Sequence, residues 1–164
     1  SQEQGAVAAE AADLGTLRWD TVQERVSGSA RAAHLLEWKT KAPEEQDIEA
    51  EVDAALSAVH SDDRERLTGA LCRSLADGRP LDVEFRVVGD GGPRWVRLTG
   101  RAPRLHDETP TGLFYGVVSD IEPRKRAEAE RKEMLRRLGE AQENEQRRIA
   151  REKAQQRPRL LAAR

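Results

Sequence analysis

The sequence predicts an α+β fold: a five-stranded antiparallel sheet with helices on one face, followed by a long coiled-coil helix. Three observations carry this. Leu81, Val83, Phe85 and Val87 alternate with Asp82, Glu84 and Arg86, the period-two pattern of a strand with one wet face. Ile48, Val52, Leu56 and Val59, and then Leu67, Ala70, Leu71 and Leu75, recur at helical spacing. After Pro123 the composition changes abruptly: residues 124–157 hold no aromatic and no proline, and charge is dense.

Taken in order, residues 1–12 are rich in Ala and Glu and form a leading segment, either a short helix or a disordered start. Leu14 to Asp20 reads as the first strand, with Leu17 and Trp19 on one face. Val22 to Val26 pairs with it, and Ser27-Gly28-Ser29 breaks the run. Ala33, Leu36 and Trp38 support a short helix over 30–38, and Lys39 to Gln46, with Pro43, reads as a loop. A helix begins at Asp47 on the Ile48, Val52, Leu56, Val59 stripe, widened by Ala55. Glu49, Glu51 and Asp53 lie off the stripe and favour the positive end of that helix. A second helix starts at Ser61-Asp62-Asp63, where Asp62 and Glu65 have the spacing of a capping box. Gly78 and Pro80 stop it.

From Leu81 the chain becomes a meander. Gly89 to Pro93 turns it, Arg94 to Leu105 returns, His106 to Thr111 turns again, and Leu113 to Ile121 is the last strand. The preceding helices cover one face of these strands. The folded domain therefore spans 13–122, a helix spans 123–157, and 158–164 form a tail that begins at Pro158. Ala127, Met134, Leu138 and Ala141 mark a sparse heptad seam on that helix. Arg131, Glu145 and Arg148 extend it, and a four-residue step from Glu145 to Ile149 suits a stutter. Such a helix cannot bury its few apolar residues alone, so the expectation is a parallel homodimer.

Charge and cysteine usage narrow the function classes. The net charge of -2 conceals two halves: residues 1–121 carry 14 basic and 22 acidic side chains, residues 122–164 carry 14 basic and 8 acidic. The basic half interleaves its Lys and Arg with Glu and has no aromatic for base stacking, which argues for a solvated helix face and against nucleic acid. Cys72 stands alone, so no intramolecular disulfide forms and a reducing, cytoplasmic compartment is expected. No apolar run approaches the ~20 residues of a membrane span.

Four motifs, in order, resemble the PAS fold. Leu14-Gly15-Thr16-Leu17-Arg18-Trp19-Asp20 resembles the LGxWxWD opening of the PAS_3 subgroup, and Val59-His60-Ser61-Asp62-Asp63-Arg64 its VHPDDR helix start, with Ser61 in place of Pro. Asp82 to Val87 followed by Gly92-Pro93-Arg94-Trp95-Val96 is similar to the family's EFR…DG..RWV hairpin. Gly116 to Glu128 resembles the GVVxDITERKRAE junction between many PAS domains and a signalling helix, with Glu122 for Thr and Pro123 for Glu. The resemblance covers about residues 13–128, and the Trp-Ser and Leu-Phe-Gly landmarks usual between Val26 and Ile48 are missing. It implies a sensory module that signals through a dimeric coiled coil to a downstream output domain, as in bacterial two-component signalling. It also implies Asp120, Ile121 and Glu122 as the relay, with Asp120 paired to a nearby arginine such as Arg97 or Arg101. Glu145 to Glu152 resembles the start of a histidine kinase dimerisation helix, but the phosphoacceptor position falls on Ala154.

The residues offer no catalytic constellation. Leu71-Cys72-Arg73 shares only Cys-Arg with the flavin-reactive motif of blue-light PAS relatives, and Cys72 reads as a small buried or half-buried side chain. His60 reads as a cap or turn residue, and His34 and His106 have no second ligand at metal spacing. Gly89 to Gly92 is a hairpin turn rather than a phosphate cradle. No cofactor or metal is predicted. An unidentified small ligand between sheet and helices would meet Trp19, Leu81, Val83, Phe85, Val96, Leu98 and alternate residues of 113–118, whose parity the sequence leaves open. The rival readings are a ligand-free structural dimerisation module and the N-terminal fragment of a histidine kinase or PP2C-type phosphatase.

Overall fold

The computed structural model of the chain describes residues 13–39 and 48–162, with side chains through Gln156. The leading segment 1–12 and the predicted loop at 40–46 lie outside the described residues. The chain divides into two units, Ser1–Glu122 and Pro123–Arg164.

The first unit is an antiparallel sheet of six strands in the order β3-β2-β1-β6-β5-β4. They are β1 Gly15–Asp20, β2 Arg25–Gly28, β3 Ile48–Glu51, β4 Leu81–Gly89, β5 Gly92–Arg101 and β6 Leu113–Asp120. Among the described residues three helices accompany them: α1 Ala30–Leu35, α2 Val52–Leu56 and α3 Ser61–Asp77. First and last strands are neighbours, with Trp19 opposite Phe114 and Gly15 opposite Val118. Inward residues alternate along each strand as the pleat requires, from Val83, Phe85 and Val87 on β4 to Val96 and Leu98 on β5. On β6 the even residues face the core: Phe114 and Val118 are fully buried while Tyr115 is exposed.

The sixth strand corrects the expected five. The helix expected from Asp47 is divided, with Ile48–Glu51 in β3 and only Val52–Leu56 helical. Ile48 and Val52 are four residues apart, a spacing that keeps one face in a strand as well as in a helix. Pairing of Ile48 with Gly28 and Ala50 with Val26 decides for the strand. The second strand also lies later than expected, because Ser27 and Gly28 pair with Arg18 and Leu17 instead of breaking the run. Gly28 is needed there: a Cβ would stand 2.8 Å from the Thr16 carbonyl oxygen and 3.2 Å from the Trp38 ring.

α1 begins at Ser29, whose Oγ accepts from the N–H of Ala32 at 3.2 Å and of Thr16 at 3.1 Å, joining cap to sheet. Ser29→Ala should therefore lower stability by about 1–2 kcal/mol, read as a fall in urea midpoint at unchanged slope. α3 starts with His60 as its cap, Nδ1 accepting from the Asp62 N–H at 3.1 Å, so the expected Asp62 box does not form. It ends at Gly78, whose φ of 73° is left-handed and whose N–H reaches the Ser74 carbonyl. Cys72 is exposed, correcting the expectation of a buried or half-buried side chain: Leu67, Leu71 and Ser74 form the inward stripe, and residue 72 lies more than a quarter of a turn away from it.

In the second unit, the helix that opens at Glu122 runs as α4 Glu122–Ala162. It continues past Pro158, where it was expected to stop; proline's fixed φ is helical, and its cost is one backbone hydrogen bond and crowding of the preceding turn. Ion pairs three and four residues apart run along it: Glu133 with Arg136 and Arg137, Arg136 with Glu140, and Arg148 with Glu145 and Glu152. Met134, Leu135 and Leu138 are exposed. Among the described residues no helix is long and apolar enough to cross a membrane.

Candidate sensory cavity and junction

Two features of the first unit have functional geometry. One is a cavity of about 50 Å³ in the core. That is room for one or two waters, well below the ~150 Å³ that holds a benzene. Leu17, Trp19, Phe85, Leu98 and Phe114 border it from the sheet. Val52, Leu56 and Leu67 border it from the helices, and Leu36 and Trp38 from the segment after α1. Of the six residues expected along a pocket, Trp19, Phe85 and Leu98 reach this cavity. Leu81, Val83 and Val96 share the inward face but are packed into solid core beside it. Trp38 and Leu36 carried only a short-helix signal in the sequence, and nothing in spacing links them to β1.

Two of the residues that border the cavity carry buried polar atoms. Nε1 of Trp19 and Nε1 of Trp38 are both buried and have no hydrogen-bond partner. An indole N–H is a donor only, and an unpaired buried donor costs about 1–3 kcal/mol. Trp19 and Val52 also border an open cleft of about 600 Å³, lined by Thr21, Gln23, Glu24, Glu51 and Asp53. Trp19 thus borders both the core cavity and the larger cleft.

The second feature is the junction at the end of β6. Ile121 is buried, and its N–H donates to the Trp95 carbonyl at 3.1 Å. The Glu122 carboxylate accepts from the Trp95 N–H at 2.8 Å, so both backbone polar groups of Trp95 are held by the junction. Asp120 Oδ1 accepts from the Glu122 N–H at 2.9 Å, supporting the first turn of α4. The expected arginine pairing of Asp120 is therefore replaced by this backbone bond, and Arg97 is occupied by Asp82 at 2.6–2.8 Å.

Trp95 leads back to α3. The Arg86 guanidinium lies over its ring, 5.4 Å from the centroid. Arg86 in turn donates to Asp63 three times, from its backbone N–H at 2.8 Å and from Nε and Nη2 at 2.9 Å. Asp63 is buried, and these side-chain bonds hold its carboxyl well below the ordinary carboxylate range against the opposing effect of burial. The same bonds push the Arg86 guanidinium further up. The neighbouring His60 N–H takes the Arg86 carbonyl, so the exposed edge of β4 is closed here by the start of α3. Sequence reading placed Asp63 at a solvated helix start and missed this pair.

His34 and His106 are exposed and isolated, and among the described residues no three His, Cys, Asp or Glu side chains are grouped to hold a metal ion. The coiled-coil seam residues Ala127, Met134, Leu138 and Ala141 all lie on α4 and are at least partly exposed.

Comparison with known proteins places these features in a family context. Residues 43–114 match the family model described as PAS fold. Sensor protein FixL of Bradyrhizobium diazoefficiens is 38% identical over 85 residues, a stretch covering 51% of this chain and 16% of FixL. Uncharacterized protein y4lL of Sinorhizobium fredii is 39% identical over 70 residues, covering 42% of this chain and 8% of that protein. The matched stretch is thus less than a fifth of either curated relative. The crystal structure of a sensory box histidine kinase/response regulator from Burkholderia thailandensis E264 aligns at a TM-score of 0.63 with 25% identity, over 82% of this chain and 98% of that one. An RNA-binding light-oxygen-voltage receptor aligns at 0.55 with 27% identity, over 68% of this chain and 30% of that one.

Proposed function

We propose that this chain, whose residues 43–114 match the PAS fold family, is a sensory input module whose sheet controls the start of a paired signalling helix. The observation that supports this reading is the double hold on Trp95. A small shift of β5 moves the Trp95 N–H and carbonyl together, and with them the Glu122 carboxylate and the Ile121 N–H at the root of α4. Asp120, Ile121 and Glu122 are the relay. Asp120 supports the first turn, Ile121 anchors it in the core, and Glu122 ties it to β5.

Two α4 helices in parallel, joined along Ala127, Met134, Leu138 and Ala141, carry the change as a rotation or register shift to an output domain of a bacterial signalling protein. The output chemistry belongs to that domain; residue 154, where kinase helices of this type carry the phosphoacceptor histidine, is alanine. A second reading, a structural dimerisation module that senses nothing, is favoured by the smallness of the core cavity, about 50 Å³. The two differ in what the junction does.

Glu122→Ala removes the side-chain bond to Trp95 while Ile121 stays buried. Hydrogen exchange at the Trp95 amide and over the first turn of α4 should then rise about tenfold, with the urea midpoint of the domain nearly unchanged. In the full-length protein, Glu122→Ala and Asp120→Ala should both uncouple output from stimulus. Normal switching in both variants overturns the relay and leaves the structural reading.

A further inference from the structure

We propose that the start of α3 is the input side of the junction, coupled to the root of α4 through the cross-strand pair Arg86–Trp95, so that a displacement of α3 is read out at α4. The inference rests on the relay reading and names the element that drives the relay.

Three observations carry it. Arg86 and Trp95 stand directly opposite each other on β4 and β5. Both backbone polar groups of Arg86 turn to the start of α3: its N–H donates to the Asp63 carboxylate at 2.8 Å, and its carbonyl accepts from the His60 N–H at 2.9 Å. Both backbone polar groups of Trp95 turn the other way, the N–H to the Glu122 carboxylate at 2.8 Å and the carbonyl to the Ile121 N–H at 3.1 Å. The N–H and C=O of one residue in an antiparallel ladder point to the same side, so this pair makes no backbone bonds between its own members. Side chains approach most closely at such pairs. Each residue is instead a clamp on a helix start, one for α3 and one for α4.

The side chains supply the link that the backbone omits. The Arg86 guanidinium lies over the Trp95 ring, 5.4 Å from its centroid, while Nε and Nη2 hold Asp63 at 2.9 Å. A guanidinium is planar and rigid, so its fork on Asp63 and its position over the ring cannot change independently. Asp63 is buried in the first turn of α3, which makes the fork follow that helix. A shift of α3 therefore turns Arg86, displaces Trp95 and reaches Ile121 and Glu122. The coupling is reciprocal: what loosens the junction loosens the start of α3 by the same free energy.

Reciprocity gives the test, because Glu122→Ala is a mild change on the far side of the pair from α3. Amide hydrogen exchange is followed by NMR on the 164-residue chain. Glu122→Ala should speed exchange at the Arg86 and His60 amides about threefold. It should leave the Phe85 amide unchanged, since Phe85 belongs to the adjacent, backbone-bonded pair with Val96. Trp95→Leu keeps both backbone clamps and removes the ring, so Glu122→Ala added to it should no longer move Arg86 or His60. Trp95→Phe, which retains an aromatic face, should keep the response. If the Trp95 amide responds to Glu122→Ala while Arg86 and His60 do not, the coupling is overturned and the relay stands. A rise at Phe85 equal to that at Arg86, or the same response with and without the Trp95 ring, also overturns it. No rise even at the Trp95 amide overturns the relay and this inference with it. Should Trp95→Leu not fold, the comparison of Arg86 with Phe85 in Glu122→Ala decides alone.

Discussion

Replacing Asp63 by asparagine should cost about 3 kcal/mol of folding stability near neutral pH, because the change removes a charge and exchanges one acceptor oxygen for a donor amino group. Asp63 is buried and accepts three hydrogen bonds from Arg86, with Arg66 3.5 Å away as well. An amide accepts at one atom only, so the fork of Nε and Nη2 is left half paired in the folded state.

The pH dependence follows from the direction of the Asp63 shift. Its carboxyl is held below the ordinary value of 3.8, so the folded state binds its proton less readily than the unfolded chain. That contribution is complete above the unfolded value and is lost as pH falls through the range below it. Urea midpoints of wild type and Asp63→Asn should therefore differ by a constant amount between pH 7 and pH 5 and converge below about pH 4. A gap that already closes between pH 7 and pH 5 would assign the effect to another group. The same variant should loosen the stacking of Arg86 on Trp95, which links a stability measurement to the junction.

The sequence made this part of the molecule legible only in pieces. The β4 strand was plain, because a strict alternation from Leu81 to Val87 has no helical counterpart. Arg86 read as one more residue on the wet face, and Asp63 as an acid at a helix start, each with a sufficient local explanation. Their pairing spans 23 residues and arises because the start of α3 closes the edge of β4, a contact that no periodicity encodes. The division of 48–59 had a different cause. Ile48, Val52 and Leu56 satisfy both periods, and the choice falls to Gly28 and Val26 on another strand. For the cavity, Trp19, Phe85 and Leu98 were visible as inward strand positions. Trp38 was not, because its place against Gly28 depends on the missing side chain of a glycine in β2.

Leu138→Glu should convert the chain from a dimer to a monomer at micromolar concentration, the largest effect expected of any single substitution. α4 runs for 41 residues, about 60 Å as a straight helix, and exposes Met134, Leu135 and Leu138 within one stretch. Its own ion pairs support the helix without a partner, since Glu133, Arg136, Glu140, Glu145, Arg148 and Glu152 compensate one another locally. What they leave uncovered is the apolar stripe, and in the proposed dimer a second copy covers it at the heptad spacing of Met134, Leu138 and Ala141. A dimer loses the residue twice and gains two facing carboxylates, which weakens association by about a thousandfold. The control is Leu135→Glu, one residue off the seam, which should leave most of the dimer intact. Sedimentation equilibrium reads both, and circular dichroism checks that the helix persists in the monomer on its ion pairs. If wild type is already monomeric, or if the two variants weaken association equally, the seam is misplaced. The junction at Glu122 would then act on a single helix rather than on a pair.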